Sequence, residues 1–245
     1  MITTLLFDLD NTLLENNMDR FIPEFLYALA ARFDHLFSRD WFIQQVLTST
    51  REMVDNQDPS KTNQGVFFES LVKRLGHPLS VLKPIFDQFY AHDFDKLKVF
   101  AKRVPEAKDI MEEAFNQGYK VAIATNPIFP LSAMMNRLNW AGISEFQYVL
   151  ITSYEVMHFC KPHVGYYQEI LNTLDVKAHQ CLMVGDDIKN DLHALSIGIR
   201  TFLVTDFIQN LEGKRYTTTF QGSLKDFRRM LKSFSTKNLP LYPQL

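Results

Sequence analysis

The stretch that decides the fold opens the chain: Thr3-Thr4-Leu5-Leu6-Phe7-Asp8-Leu9-Asp10-Asn11-Thr12. Its first half is short, apolar on both faces and cut off by polar residues, the pattern of a strand buried in a parallel sheet. Asp8 thus stands at the carboxyl end of a strand. Beyond residue 15 the rhythm turns helical, with Ile22, Phe25, Leu26, Leu29 and Phe33 recurring at three- and four-residue steps. Ser38 precedes a second helical stretch through Met53, and Asp58-Pro59 then breaks the chain. A third stretch through Val72 and Leu75 stops at Gly76 and Pro78, and a fourth starts after Ser80. No strand pattern, internal repeat or low-complexity linker is visible between 15 and 100, so this region is expected to be an all-helical unit. Its phenylalanines Phe21, Phe25, Phe33, Phe37, Phe42, Phe67, Phe68, Phe86 and Phe89 read as its core.

After Val104-Pro105 strand and helix take turns. A helix runs to Gln117 and Gly118, the apolar run Tyr119 to Ala124 follows, and a second helix ends near Gly142. The strand-like run Tyr148 to Thr152, a helix after Pro162, the run Cys181 to Val184, a helix across Leu192 to Ile197 and the run Thr201 to Val204 continue the alternation. This predicts an α/β fold, a doubly wound parallel sheet with right-handed crossovers. Its core is expected from residues 1–14 and 101–245, with residues 15–100 as an inserted helical domain. In such sheets ligands bind beyond the carboxyl ends of the strands.

Composition removes several alternatives. The chain has 245 residues, 46% of them hydrophobic and 22% charged, enough to bury a sizeable core and unlike a disordered sequence. Lys plus Arg number 26 against 28 Asp plus Glu, a net charge of −2 that offers no broad positive field to nucleic acid or anionic lipid. The nine glycines never lie closer than nine residues apart, which excludes a Gly-x-Gly-x-x-Gly loop, a Walker phosphate loop and a Gly-x-Ser-x-Gly elbow. Cys160 and Cys181 are too far apart for a Cys-x-x-Cys motif and are read as reduced thiols. No apolar run approaches the roughly 18 residues of a membrane span, and Asp8 and Asp10 interrupt any leader-like segment, so a cytoplasmic protein without membrane partners is expected.

Three of the expected strands run into polar clusters: Asp8-Leu9-Asp10-Asn11-Thr12, Thr125-Asn126, and Gly185-Asp186-Asp187 followed by Asn190-Asp191; Lys161-Pro162 lies in a loop able to reach the same crevice. Taken singly, each has a plainer explanation. Asp8 and Asp10 could cap a helix, Thr125-Asn126-Pro127 could be a turn, Lys161 a solvated lysine, and the acids of 186–191 a helix start complementing its dipole. A lone Asp-x-Asp-x-Thr arises by chance in about 3 of 100 chains this long. In this order, each after a buried strand or in a neighbouring loop, the clusters resemble the four motifs of the haloacid dehalogenase superfamily, in its phosphatase branch with a helical cap. The resemblance covers residues 3 to 205.

That resemblance implies an aspartyl-phosphate route in which Asp8 is the nucleophile and Asp10 the general acid and base, neutral at one step and ionised at the next. It further implies Mg²⁺ held by the Asp8 carboxylate, the Asp10 backbone carbonyl and Asp186, since an anionic nucleophile facing an anionic phosphate needs a cation. Asp191 would hold a metal-bound water or orient Lys161, with Asp187 as the alternative. Lys161 would neutralise the transferring group, and Thr125 and the Asn126 amide would grip its oxygens. The loop before Lys161, Glu155 to Cys160, lacks the glycine that relatives often carry. The histidines show no zinc spacing; His163, beside Lys161, lies near enough in sequence to touch a substrate.

The activity expected from this resemblance is Mg²⁺-dependent hydrolysis of a small phosphorylated metabolite, by a monomer or homodimer whose cap excludes water and bulky protein substrates. Nucleoside monophosphates, sugar phosphates and phosphoglycolate are candidates. A haloacid dehalogenase would have no use for Asp10, a phosphomutase would share every core residue, and a silent binding protein would have no chemical reason to keep the charged set.

Overall fold

A computed structural model describes residues 1–210, 213 and 215–233 of the chain; the end of the expected core, 234–245, lies outside the described residues. Six strands, β1 (Thr4–Phe7), β4 (Lys120–Ile123), β5 (Leu150–Ile151), β6 (Cys181–Gly185), β7 (Arg200–Val204) and β8 (Phe220–Gly222), form one parallel sheet in the order β5-β4-β1-β6-β7-β8. β1 lies between β4 and β6, in register Phe7 to Ile123 and Phe7 to Val184. The chain builds outward from β1 in one direction and then in the other, so the crevice at the carboxyl ends of these three strands is where such a sheet binds ligands.

Side chains on β1 alternate as pleating demands. Leu5 and Phe7 join the larger apolar core, where Phe7 meets Phe227 edge to face at 5.6 Å from helix α8 (Leu224–Ser233). Leu6 points to the opposite core, built on α7 (Val164–Leu174) with Tyr166, Tyr167 and Ile170. Helices α5 (Pro105–Asn116) and α6 (Leu131–Ala141) complete the wrapping, and α6 ends at Gly142, whose φ of +75° suits a residue without a Cβ. Cys160 and Cys181 are both free and buried, and burial pushes the Cys160 thiol up to about 12.

Four α-helices, α1 (Met18–Ala30), α2 (Arg39–Asp55), α3 (Asn63–Leu75) and α4 (Leu79–His92), and a 3₁₀ segment, Phe94–Phe100, fill the insertion. Asn17 caps α1 by accepting from the Arg20 amide at 3.2 Å, and Thr62 caps α3 by accepting from Gly65 at 3.2 Å. Rings make the seam between insertion and sheet. Phe25 lies 5.3 Å from Phe129, and Phe94 stacks on the buried Trp140 at 5.4 Å, while the Trp140 indole donates to Asp95 at 2.6 Å. The start of α3 is also tied across this seam: the Asn63 amide donates to Met157 O at 2.8 Å and the Gln64 amide to Tyr154 O at 2.7 Å.

Three features differ from the sequence reading. Leu14–Asn16 (β2) and Ala101–Arg103 (β3) form a two-stranded antiparallel ribbon where no strand pattern stands out, because three-residue strands are too short for alternation to register. The helix expected across Leu192 to Ile197 is a seven-residue 3₁₀ segment, Asp191–Ile197. A crossover between parallel strands must travel back along the sheet, and seven residues reach roughly 14 Å as 3₁₀ but roughly 10 Å as α-helix. β8 and α8 extend the alternation past Val204. No helix among the described residues is long and apolar enough to cross a membrane.

Candidate active site

Directly after β1 the chain leaves the sheet. The Asp8 amide still donates to Val184 O at 2.9 Å, but Leu13 and Leu14 both return amides to Leu9 O at 2.9 Å, and Asn11 sits at φ +53°. That left-handed geometry suits an asparagine. The turn separates Asp8, buried beneath the crevice, from Asp10, which is more open to it.

Asp8, Asp186 and Asp191 each offer a carboxylate oxygen, all within 4.8 Å of one another. Lys161 reaches in from the loop before α7 and donates to Asp8 Oδ1 at 2.7 Å and to Asp191 Oδ1 at 2.6 Å. Its ammonium lies 5.9 Å from the Tyr166 ring centre. Thr12 donates to Asp186 Oδ1 at 3.2 Å and Gln209 to Asp186 Oδ2 at 3.0 Å. Gly185 has no room for a side chain, since a Cβ there would strike the Asp191 carboxylate. With Asp10, Thr125, Asn126 and Asp187, these acids and Lys161 line a cleft of about 120 Å³, space for a few waters at roughly 30 Å³ each.

Three ionised carboxylates against one ammonium leave the buried cluster with a charge of −2. The cluster resists that charge. Burial raises Asp8 to about 7 despite Lys161, with Asp191 and Asp10 adding to the rise. Burial and then the Asp8 and Asp191 charges raise Asp186 to about 9. Burial also raises Asp191, against the pull of Lys161. For Lys161 burial opposes the charge, yet Asp191 and Asp8 outweigh it and hold the ammonium well above its ordinary range. A hard oxygen-only donor set short of two positive charges fits a divalent cation of the Mg²⁺ type.

The two acids that the sequence left as alternatives have different surroundings. Asp191 faces Lys161 and accepts from the Asp187 amide at 3.0 Å. Asp187 turns to its own loop, accepting from the Lys189 amide at 2.8 Å and from Asn190 and Asn210 side chains at 2.6 and 2.8 Å. Thr125 is buried, its carbonyl held by Thr152 at 2.7 Å and Tyr166 at 2.9 Å. The Asn126 side chain accepts from the Lys161 amide at 3.1 Å, fixing the loop that brings the lysine in despite its missing glycine. His163 caps α7 by accepting from Gly165 at 3.0 Å and stacks on Phe159.

Sequence reasoning missed Gln209, Asn16 and Arg137. For the first two no pattern was available. Arg137 did leave a signal, because it occupies the face of α6 that Met134, Leu138 and Ala141 bury, where the helical period calls for an apolar residue.

A model of the haloacid dehalogenase-like hydrolases matches residues 2–196. Curated relatives include a protein named pyrophosphatase PpaX from Bacillus anthracis and one from Bacillus cereus, each 28% identical over 220 residues, covering 90% of this chain and 89% of theirs. Among solved structures, a HAD phosphatase from Thermococcus onnurineus superposes with a TM-score of 0.57 at 18% identity, covering 94% of this chain and 98% of its own. The L-2-haloacid dehalogenase of Xanthobacter autotrophicus gives 0.54 at 17%, covering 96% and 100%. At such identities the structural likenesses speak for the fold.

Proposed function

The chain belongs to the haloacid dehalogenase-like hydrolase family, and from that premise we propose that it is a Mg²⁺-dependent phosphatase acting on a small phosphorylated compound through an aspartyl-phosphate on Asp8. The observation that carries this reading is the Lys161 ammonium bridging Asp8 and Asp191, with Asp186 alongside, at the ends of adjacent strands. In this reading residues 15–100 are a cap over a core of 1–14 and 101–245. Inorganic pyrophosphate joins the candidate substrates because the curated relatives carry that activity in their names.

Asp8 attacks phosphorus while Lys161 holds its carboxylate in place and offsets the charge of the incoming group. Thr125 and the Asn126 amide bind the phosphoryl oxygens. Asp10 gives a proton to the leaving oxygen, and in the second half takes one from the water that attacks the aspartyl-phosphate, releasing phosphate and regenerating Asp8. Asp8, the Asp10 carbonyl and Asp186 would hold Mg²⁺, with Asp191 completing its surroundings in preference to Asp187. When bound, the ion supplies the positive charge that lets two anions approach. Asp10 also favours this reading over haloacid dehalogenation, which has no leaving oxygen to protonate.

The test is a screen of pyrophosphate, sugar phosphates, nucleoside monophosphates and phosphoglycolate for phosphate release, with Mg²⁺, with EDTA, and with Asp8→Asn. Turnover is expected only for the wild type with metal. Turnover that survives EDTA or Asp8→Asn defeats the mechanism, and silence on every phosphate favours a binding protein that keeps the fold.

A further inference from the structure

Arg137 is one of the most deeply buried charged side chains in the protein, 1% exposed, and the catalytic steps above make no use of it. It rises from α6 and passes between two aromatic rings, 5.4 Å from the centre of Phe129 and 6.0 Å from that of Phe21. One nitrogen, Nη1, donates to the Met134 sulfur at 3.7 Å, and Nε finds no acceptor among the described residues. The remaining nitrogen, Nη2, pairs with Asp10 Oδ1. Asp10 is the sole carboxylate paired with it among the described residues. A guanidinium enclosed by apolar groups is costly to keep unless its charge is matched, and here the match is the proposed proton-transfer residue.

The nearest approach of the guanidinium is to one oxygen, Oδ1. Asn16, on β2, donates its Nδ2 to the same Asp10 Oδ1 at 3.1 Å. Two groups, the Arg137 guanidinium on α6 through its charge and the Asn16 amide on the ribbon strand through a hydrogen bond, therefore meet at Oδ1. Oδ2 takes part in no hydrogen bond among the described residues, while Asp10 lines the cleft. We infer that Arg137, with Asn16, is a positioning residue that immobilises Asp10 through Oδ1 and so assigns proton transfer to Oδ2. The inference rests on Asp10 being the general acid and base.

In the first half-reaction the Asp8–phosphorus bond forms, the phosphorus–oxygen bond to the leaving group breaks, and the Oδ2 proton passes to the departing oxygen to give an alcohol. In the second, water adds to phosphorus, its proton goes to Oδ2, phosphate departs and the Asp8 carboxylate returns. A carboxyl free to rotate would present its proton to the leaving oxygen only part of the time. The penalty should appear only where the leaving oxygen needs that proton.

The experiment compares kcat/KM, which reports the first half-reaction, for an alkyl phosphate and for 2,4-dinitrophenyl phosphate, whose leaving group departs without protonation. Positioned proton transfer is worth roughly 10²–10⁴-fold. Arg137→Met is expected to lower kcat/KM for the alkyl ester at least about tenfold more than for the aryl ester, and Arg137→Lys to recover part of the difference. Asn16→Ala, which leaves the buried ion pair intact, should shift the ratio in the same direction by less, and serves where Arg137→Met does not fold. Equal losses on both esters in every folded variant overturn the inference and leave Arg137 a structural residue. Asp10→Asn separates the two levels. If it leaves the alkyl-to-aryl ratio unchanged, the reading of Asp10 fails and this inference with it; if it shifts the ratio while Arg137→Met and Asn16→Ala do not, only the role of Arg137 fails.

Discussion

Replacing Asp186 with asparagine should make the metal-free protein more stable. The carboxyl has an ordinary value of 3.8 and is raised to about 9 in the fold, chiefly by burial and then by Asp8 and Asp191. For an acid raised on folding, the native state binds the extra proton, so the penalty is absent below 3.8 and grows as pH climbs toward 9. At pH 7 about three units of that window have been crossed, and at 1.36 kcal/mol each the charge opposes folding by about 4 kcal/mol. Asparagine removes this and keeps an acceptor for Thr12, while Gln209 must rotate its amide; weakening those bonds returns about 1 kcal/mol. The net gain of about 3 kcal/mol corresponds to roughly 6–12 °C in a chain of this size. Thermal melts in EDTA at pH 7 and pH 5 measure it, and at pH 5 the advantage should shrink below about 1 kcal/mol. With Mg²⁺ near a hundredfold above its Kd the wild type should recover about 2.7 kcal/mol that the variant cannot. A variant no more stable than wild type in EDTA, or a gain equal at both pH values, would refute the electrostatic account of this cluster.

Further outcomes follow from the same geometry. Lys161→Met strands two buried carboxylates without a counter-charge and should cost about 3–5 kcal/mol, read by denaturant unfolding in EDTA; Mg²⁺ should restore part of that stability without restoring turnover. Gly185→Ala drives a methyl group into the Asp191 carboxylate and should destabilise the protein by about 1–3 kcal/mol while weakening Mg²⁺ binding in titration calorimetry. Because Asp8 at about 7 and Asp186 at about 9 must lose protons to accept the ion, Mg²⁺ affinity should rise from pH 6 to pH 9 with proton release that differs between buffers of unequal ionisation heat. A pH-independent affinity would argue against these carboxylates as the ligands.

Much of this site was legible because chemistry and fold share the same punctuation. The runs ending at Phe7, Ala124 and Val184 each stop at a polar cluster, and a parallel sheet gathers such ends whatever lies between them. Period alone could not supply contacts made by loops. Gln209 reaches Asp186 from a segment without apolar rhythm, and the amides that occupy the Asp187 carboxylate belong to a turn that no period marks. Arg137 lay on a legible helix face, but its partner is set by how α6 docks on the turn after β1. In α8 the helical period is readable: Leu224, Phe227 and Leu231 recur at helical steps and all three are buried.

The chain has two tryptophans, and they occupy opposite surroundings. Trp140 is sealed at the aromatic seam against Phe94, and Trp41 stands 43% exposed on the outside of α2. Replacing Trp41 with phenylalanine would leave Trp140, at the joint between the helical insertion and the sheet, as the one tryptophan to excite selectively. Its emission should be blue-shifted and shielded from acrylamide while the joint is closed, and should redden as the rings part. The protein thus carries its own dye-free optical gauge, which stopped flow can read for a change at the joint when a phosphorylated compound is added.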